Sequence, residues 1–274
     1  MSNVNNNEIL AVIGAGTMGE AILRGILRAG RLTPAQIFAS DVRPEVVREL
    51  ASRHGIRTTT DAVEAARAAT MALVCVKPNQ MGPVLSNPAM QKALEGKPVM
   101  SIAAGVRLAQ LAEWVPSSPV IRVMPNTAAT IGEAMSALAR GRGITDAQMA
   151  TALELFAAVG RSLELDEAYM DVVTALSGSG PAFAYVIIDA LADGAVKMGL
   201  RRDAAVSMAA QMLQGAARMV LQTGTHPAAL KDQVTTPGGC TAAGLAKLEE
   251  GRLRYTLASA VEEATRAAGK LGQR

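Results

Sequence analysis

The segment Gly14-Ala15-Gly16-Thr17-Met18-Gly19 constrains the fold more than any other stretch of this chain. It follows an apolar run at residues 9–13 and opens a helical pattern that Gly30 stops. In a strand–turn–helix unit each glycine has a physical task. Gly14 permits a tight turn, Gly16 lets an anion approach the backbone, and Gly19 lets the helix lie close to the strand. Backbone N–H groups and the positive helix end then hold a pyrophosphate. The segment predicts a dinucleotide-binding half, with Gly14, Ala15, Gly16, Thr17, Met18 and Gly19 as cofactor contacts.

The pattern around it points the same way. Short apolar runs alternate with helical stretches from residue 9 to about residue 165. Candidate strands are 9–13, 37–40, 71–76, 99–102 and 120–123, with 162–165 closing the domain. Helices are expected at 18–29, at 44–54 stopped by Gly55, and at 146–159 ended by Gly160. Strand, helix, strand at this spacing implies an α/β fold, a doubly wound, mostly parallel sheet with helices on both faces.

After residue 166 the strand signal disappears. Residues 182–198 are apolar nearly all the way round, broken by Asp189, Asp193 and Lys197, as in a helix buried in a core or between subunits. Asp203 reads as an N-cap for 204–223, with Gly224 just beyond, and two more helices are expected at 241–250 and 255–271. The expected organisation is a dinucleotide-binding domain at 1–165 and an all-helical domain at 166–274. Aromatics make up only 3% of the chain, and 14 Met do not replace them in bulk. A helical half of this kind makes a thin core alone and is expected to pack against a second copy of itself.

Composition removes other classes. A net charge of +3, spread over scattered Lys and Arg without aromatic platforms, suits an anionic small molecule and argues against a nucleic-acid partner. No uninterrupted apolar run reaches the length of a bilayer span, so no membrane partner is expected. Residues 1–7 are polar, lack the basic and apolar parts of a signal peptide, and are expected to fray. Cys75 and Cys240 offer neither metal spacing nor a disulfide framework. That pattern fits a reducing compartment, a cytoplasmic location and no metal site.

The second strand ends in Ser40-Asp41-Val42-Arg43, about 20 residues past the glycine turn, where an adenine ribose is read. Asp41 would accept from a free 2′-hydroxyl and repel a 2′-phosphate. Arg43 and Ser40 would do the reverse, so NADH and NADPH both remain open. Val76-Lys77-Pro78-Asn79 and Ala103-Ala104-Gly105 lie at carboxyl ends of strands, where ligands of open α/β sheets bind. Asn126, at the end of another strand, is a candidate contact for the cofactor amide or the substrate.

Three later stretches decide the rest: Val123-Met124-Pro125-Asn126-Thr127, Leu176-Ser177-Gly178-Ser179-Gly180-Pro181-Ala182 and Thr235-Thr236-Pro237-Gly238-Gly239-Cys240-Thr241. With the glycine turn and Val76-Lys77-Pro78, in this order, the chain resembles pyrroline-5-carboxylate reductase from about Ile9 to Leu271. The resemblance implies a Rossmann-type domain followed by an all-α dimerisation domain, in homodimers that often assemble into rings. It implies hydride transfer from NADPH or NADH to the C=N carbon of 1-pyrroline-5-carboxylate, giving L-proline. Asp41 departs from the small polar residue often found in NADPH-preferring members. Cys240 replaces the usual Thr or Ala.

Such a substrate is a cyclic imine carrying one carboxylate. Gly238 and Gly239 expose backbone N–H groups at a helix start, a suitable carboxylate cradle, and Thr236 adds a hydroxyl. The resemblance places Thr241 by the imine nitrogen, the one candidate catalytic residue, with Cys240 beside it in the substrate loop. His54 and His226 read as surface or capping residues. Ser179 reads as a cap and Pro181 as a first-turn residue of the apolar helix. Rival readings are a β-hydroxyacid dehydrogenase, another imine reductase, and a non-catalytic NAD(P)H-binding protein. The dehydrogenase needs a Lys base with an Asn one turn away on the long apolar helix, which carries only Lys197 and no Asn.

Overall fold

The computed structural model describes residues 8–272, so the frayed segment expected at residues 1–7 lies outside them. Eight strands form one sheet: β1 (Leu10–Ile13), β2 (Ile37–Ser40), β3 (Arg57–Thr59), β4 (Met71–Val74), β5 (Val99–Ser101), β6 (Val120–Met124), β7 (Ala134–Arg140) and β8 (Gly160–Glu164). Their order is β3-β2-β1-β4-β5-β6-β7-β8, and every neighbouring pair is parallel except β6–β7. Seven helices accompany them: α1 (Thr17–Arg28), α2 (Pro44–His54), α3 (Ala62–Ala68), α4 (Pro78–Leu85), α5 (Pro88–Leu94), α6 (Leu108–Trp114) and α7 (Asp146–Ala157). This is the Rossmann-type, mostly parallel layout that the alternating pattern implies.

All four residues of β1 are buried, as a central strand covered on both faces requires. Successive side chains point to opposite faces, so β1 feeds two separate cores. Leu10 and Val12 join Ile22 and Ile26 of α1 and Phe156 of α7. Ala11 and Ile13 join Ala65 and Ala66 of α3 with Met81 and Leu85 of α4. Helix α2 stops at Gly55, which takes φ +65° and receives the last turn in a left-handed cap.

Beyond β8 the described chain is helical: α8 (Met170–Val173), a π turn (Thr174–Gly178), α9 (Gly180–Lys197), α10 (Arg202–Thr223), α11 (Pro227–Gln233), α12 (Cys240–Glu250) and α13 (Leu253–Leu271). Several details correct the sequence expectations. Strands β3 and β7 were not anticipated, and Gly160 is the first residue of β8 rather than a stop. Helix α10 is capped by Arg201; Asp203 sits inside its first turn and accepts from the Arg201 guanidinium. Ser179 occupies the cap position of α9, but its hydroxyl makes no capping bond. The stretch Glu167–Lys197 is by length and composition long and apolar enough to cross a membrane, although polar and charged residues interrupt it, so it is not the uninterrupted apolar run that was sought in the sequence.

The chain divides into two compact units, Met1–Gly178 with Ala264–Arg274, and Ser179–Glu263. The strand pattern ends near residue 165, but packing carries the first unit to residue 178. Arg122 of β6, 4% exposed, pairs with Glu167 at 3.1 Å and Asp171 at 3.7 Å, and Met170 is fully buried against Ala137 and Ala139. The end of α13 belongs to the same unit. Ala268 is buried there, and Leu271 and Gly272 lie against Gly105. In the second unit, the buried apolar residues among those described are three alanines, Ala192, Ala205 and Ala209. Tyr185, Val186, Met208, Met212 and Tyr255 are each at least half exposed.

Candidate active site

In the first unit a cleft of about 770 Å³ opens at the carboxyl ends of β1, β2 and β4, where the strand order reverses direction around β1. Gly14, Gly16, Thr17, Met18, Ser40, Asp41, Arg43, Val76 and Lys77 line it. Ala15, Gly19, Pro78, Ala103, Ala104, Gly105 and Asn126, expected as cofactor contacts, are not among its lining residues. Val42 and Asn79, which stand inside the segments singled out in the sequence, line it too, whereas Thr60, Ala62, Gln80, Pro83 and Val84 were missed. Thr60 follows the unanticipated β3. Gln80 lies in the first turn of α4 and was legible as a near neighbour of Lys77.

The glycine turn has a distinct reason at each position. Gly14 takes φ +84°, and a Cβ there would lie 2.7 Å from Val76 Cγ1 and 2.9 Å from Val76 N. A Cβ on Gly19 would lie 2.8 Å from Gly14 O, so its absence lets α1 approach β1. A Cβ on Gly16 would meet only Arg43 Nη2, at 3.4 Å, so its face opens onto the cleft. The N–H groups of Gly14 and Ala15 both donate to Ser40 O, tying the turn to β2. Gly16 caps α1 without a side-chain bond, which leaves the first-turn N–H groups of α1 directed at an anion. A cradle that accepts no Cβ without filling the phosphate's place fits a dinucleotide.

At the end of β2, Asp41 and Arg43 do not act against each other but form a pair. Arg43 N and Nε donate to Asp41 Oδ1 at 3.1 and 2.9 Å, and Nη2 donates to Oδ2 at 3.1 Å. Burial pushes the Asp41 carboxyl up, but the hydrogen bonds and charge of Arg43 outweigh it and hold the group below its ordinary value. The Ser40 hydroxyl is enclosed and makes no hydrogen bond to the described residues. Lys77 caps α4 and is exposed at the cleft. Burial pushes the Cys75 thiol far up, so it stays protonated and poorly nucleophilic.

Asn126 follows β6 and is anchored rather than free. Its Nδ2 donates to Ser177 O at 3.2 Å and Ser177 Oγ at 3.3 Å, and Ser177 Oγ in turn donates to Met135 O. Asn126 Oδ1 is enclosed with no partner among the described residues. Ser177 lies in the π turn, a local defect of a kind frequent at functional sites. His54 is held by Glu20 at 3.4 Å with its side chain 10% exposed, so it is not a surface residue as expected. His226 caps α11 by accepting from Ala228 N, as expected.

In the second unit, Thr236 to Gly239 form a tight turn that delivers the chain into α12. Gly239 N donates to Thr236 O at 3.0 Å, and Gly238 takes φ +69°. A Cβ on Gly239 would collide with Thr236 Oγ1. Helix α12 starts at Cys240, one residue earlier than expected, with Gly239 as a cap that contributes no side chain. The first-turn N–H groups of Cys240 and Thr241 are thereby left for an external acceptor. Thr241 is half-buried, and its hydroxyl has no hydrogen-bond partner among the described residues. Among those residues no group of three or more His, Cys, Asp or Glu is placed to hold a metal.

A family described as pyrroline-5-carboxylate reductase dimerisation matches residues 167–271. Residues 9–105 match a family described as NADP oxidoreductase, coenzyme F420-dependent. A pyrroline-5-carboxylate reductase of Methanosarcina acetivorans is 44% identical, over 98% of this chain and 99% of its own length. The chain belongs to the pyrroline-5-carboxylate reductase family. Among solved structures, the pyrroline-5-carboxylate reductase of Coxiella burnetii superposes with a TM-score of 0.93 at 30% identity, covering 97% of this chain and 99% of its own. The Plasmodium falciparum pyrroline carboxylate reductase, solved with NADP bound, gives 0.85 at 30% identity, covering 97% of this chain and 98% of its own.

Proposed function

We propose that this chain reduces 1-pyrroline-5-carboxylate to L-proline with a reduced nicotinamide dinucleotide. The observation that carries the reading is the intact turn at Thr236–Gly239, with open N–H groups at the start of α12, in a chain of this family. When bound, NADH or NADPH supplies the hydride. The protein's own part is to bind, orient and exclude water. The substrate carboxylate takes the N–H groups at the start of α12, where the helix dipole favours an anion. Thr241, in the first turn of the same helix, holds the ring nitrogen through its hydroxyl. A cyclic imine protonated on nitrogen is already electrophilic, so a positioned hydroxyl suffices and no general base is required. Helix α9 carries no Asn and only a terminal Lys197, which removes the base pair that a β-hydroxyacid dehydrogenase uses.

We assign the cofactor contacts to the residues of the cleft and the glycine turn, with Asn126 holding the carboxamide or the substrate through its unpartnered Oδ1. The helical half acts as the dimerisation domain, in a homodimer that can build rings. A unit whose buried apolar residues are alanines, with Tyr185, Val186 and Met212 exposed, gains its core from a second copy. That same demand accounts for the membrane-like composition of Glu167–Lys197. The two free cysteines support a reducing, cytoplasmic setting. The test is the loss of reduced-nicotinamide absorbance with each cofactor, with and without the cyclic imine, together with detection of proline. Consumption of neither cofactor in the presence of the imine refutes the reading.

A further inference from the structure

We propose that Asp41, paired with Arg43, makes this chain select NADH over NADPH. The inference rests on the dinucleotide-dependent reading above and names which dinucleotide that site takes. Asp41 closes β2 beside the cleft with its side chain 7% exposed, whereas that of Arg43 is 53% exposed. Asp41 Oδ1 receives two donors from Arg43 and Oδ2 receives one. A carboxylate oxygen offers two acceptor positions, so Oδ1 is filled and Oδ2 keeps one. A ribose hydroxyl donates to that position without disturbing the pair.

A 2′-phosphate has no such place. It carries close to two negative charges and no proton to donate at neutral pH. It meets a carboxylate to which Arg43 already gives its backbone N–H and two guanidinium donors, Nε and Nη2. The Arg43 guanidinium keeps further N–H donors, but a phosphate that takes them stands beside the nearly buried Asp41 carboxylate and draws away the charge that compensates it. The Ser40 hydroxyl, the other donor at this strand end, is enclosed. Arg43 Nη2 also lies over Gly16, so the pair stands beside the pyrophosphate cradle, where a third negative group adds to the charge already bound. The related Plasmodium structure with NADP bound shows that this fold holds the phosphorylated cofactor. The selection is therefore a property of Asp41 and Arg43, not of the cradle.

The test is direct binding, read from the fluorescence of the reduced nicotinamide, of NADH and NADPH to the full chain and to Asp41→Ser and Arg43→Ala variants. We expect the wild-type chain to bind NADH about tenfold more tightly, the ratio set by roughly 1.4 kcal/mol. Asp41→Ser frees Arg43 and reverses the preference. Arg43→Ala leaves Asp41 unshielded and widens it. Wild-type binding of NADPH as tightly as NADH, an unchanged ratio in Asp41→Ser, or a narrowed ratio in Arg43→Ala overturns the proposal while leaving the reductase reading intact. Failure of the wild-type chain to bind either dinucleotide refutes both.

Discussion

Replacing Gly14 and Gly16 separately by alanine separates the folding role of the glycine turn from its binding role. Gly14 at φ +84° lies where a Cβ costs about 1–2 kcal/mol of backbone strain. The added methyl would also stand 2.7 Å from Val76 Cγ1 and 2.9 Å from Val76 N, a misfit of the overpacking kind worth about 1–3 kcal/mol. Gly14→Ala should therefore lose about 2–5 kcal/mol of stability, a fall of roughly 5–15 °C in melting temperature for a chain of this size. Gly16 is different. Its φ is −70°, and a Cβ would touch only the mobile end of Arg43, so Gly16→Ala should melt like the wild type. Its methyl instead occupies the face that a pyrophosphate approaches. Losing one charge-assisted hydrogen bond there costs about 1.5–3 kcal/mol, or roughly 10- to 150-fold in dinucleotide affinity. Thermal melting without cofactor, paired with fluorescence titration of reduced dinucleotide, reads both quantities. Wild-type affinity in a folded Gly16→Ala variant, or an unchanged melting point in Gly14→Ala, would refute the assignment.

Three further outcomes test the rest. Thr241→Ala should lower kcat/KM for the cyclic imine by about 100-fold or more while leaving cofactor binding untouched, and unchanged kcat/KM across pH removes Thr241 from the mechanism. Arg122→Ala removes the nearly buried partner that Glu167 and Asp171 share, and because those carboxylates are about a third exposed, chemical denaturation should show a loss of about 1–3 kcal/mol. Because the folded chain holds the Asp41 carboxyl below its ordinary value, its contribution is present above the unfolded-state value and fades as pH falls through the lower folded one. Asp41→Asn should flatten that part of the acid unfolding curve followed by circular dichroism, and an identical curve contradicts it.

The elements legible in the sequence are those whose signal is local. The strand at 37–40 and the helix at 44–54 with its Gly55 stop coincide with β2 and α2, because apolar runs and a left-handed cap need no knowledge of the partner. Strands β3 and β7 escaped for opposite reasons. Arg57-Thr58-Thr59 is a short edge strand with little to bury, and Ala134–Arg140 is rich in small residues that read as helix. What makes β7 a strand is its antiparallel ladder on β6 and its parallel one to β8. Gly160 read as a helix stop because its real constraint is remote: a Cβ there would fall 2.0 Å from Ala134 O.

The same distinction governs the candidate site. The glycine spacing could be read along the chain because the strand–turn–helix motif has a fixed local pattern, even though the neighbours that constrain Gly14 and face Gly16, Val76 and Arg43, come from later strand ends. The cofactor choice could not, since Asp41 and Arg43 looked like opposing signals until their geometry showed one neutral pair. A charge in sequence is an isolated property, but a charge beside a partner is a different chemical group. Part of its donors are engaged, its desolvation is partly offset, and a vacant lone pair on the carboxylate remains to act on a ligand. The helical half carries this principle furthest. Its buried apolar residues are three alanines, and its large apolar side chains face outward. The match of residues 167–271 to a dimerisation family accords with a helical half that leaves large apolar side chains exposed.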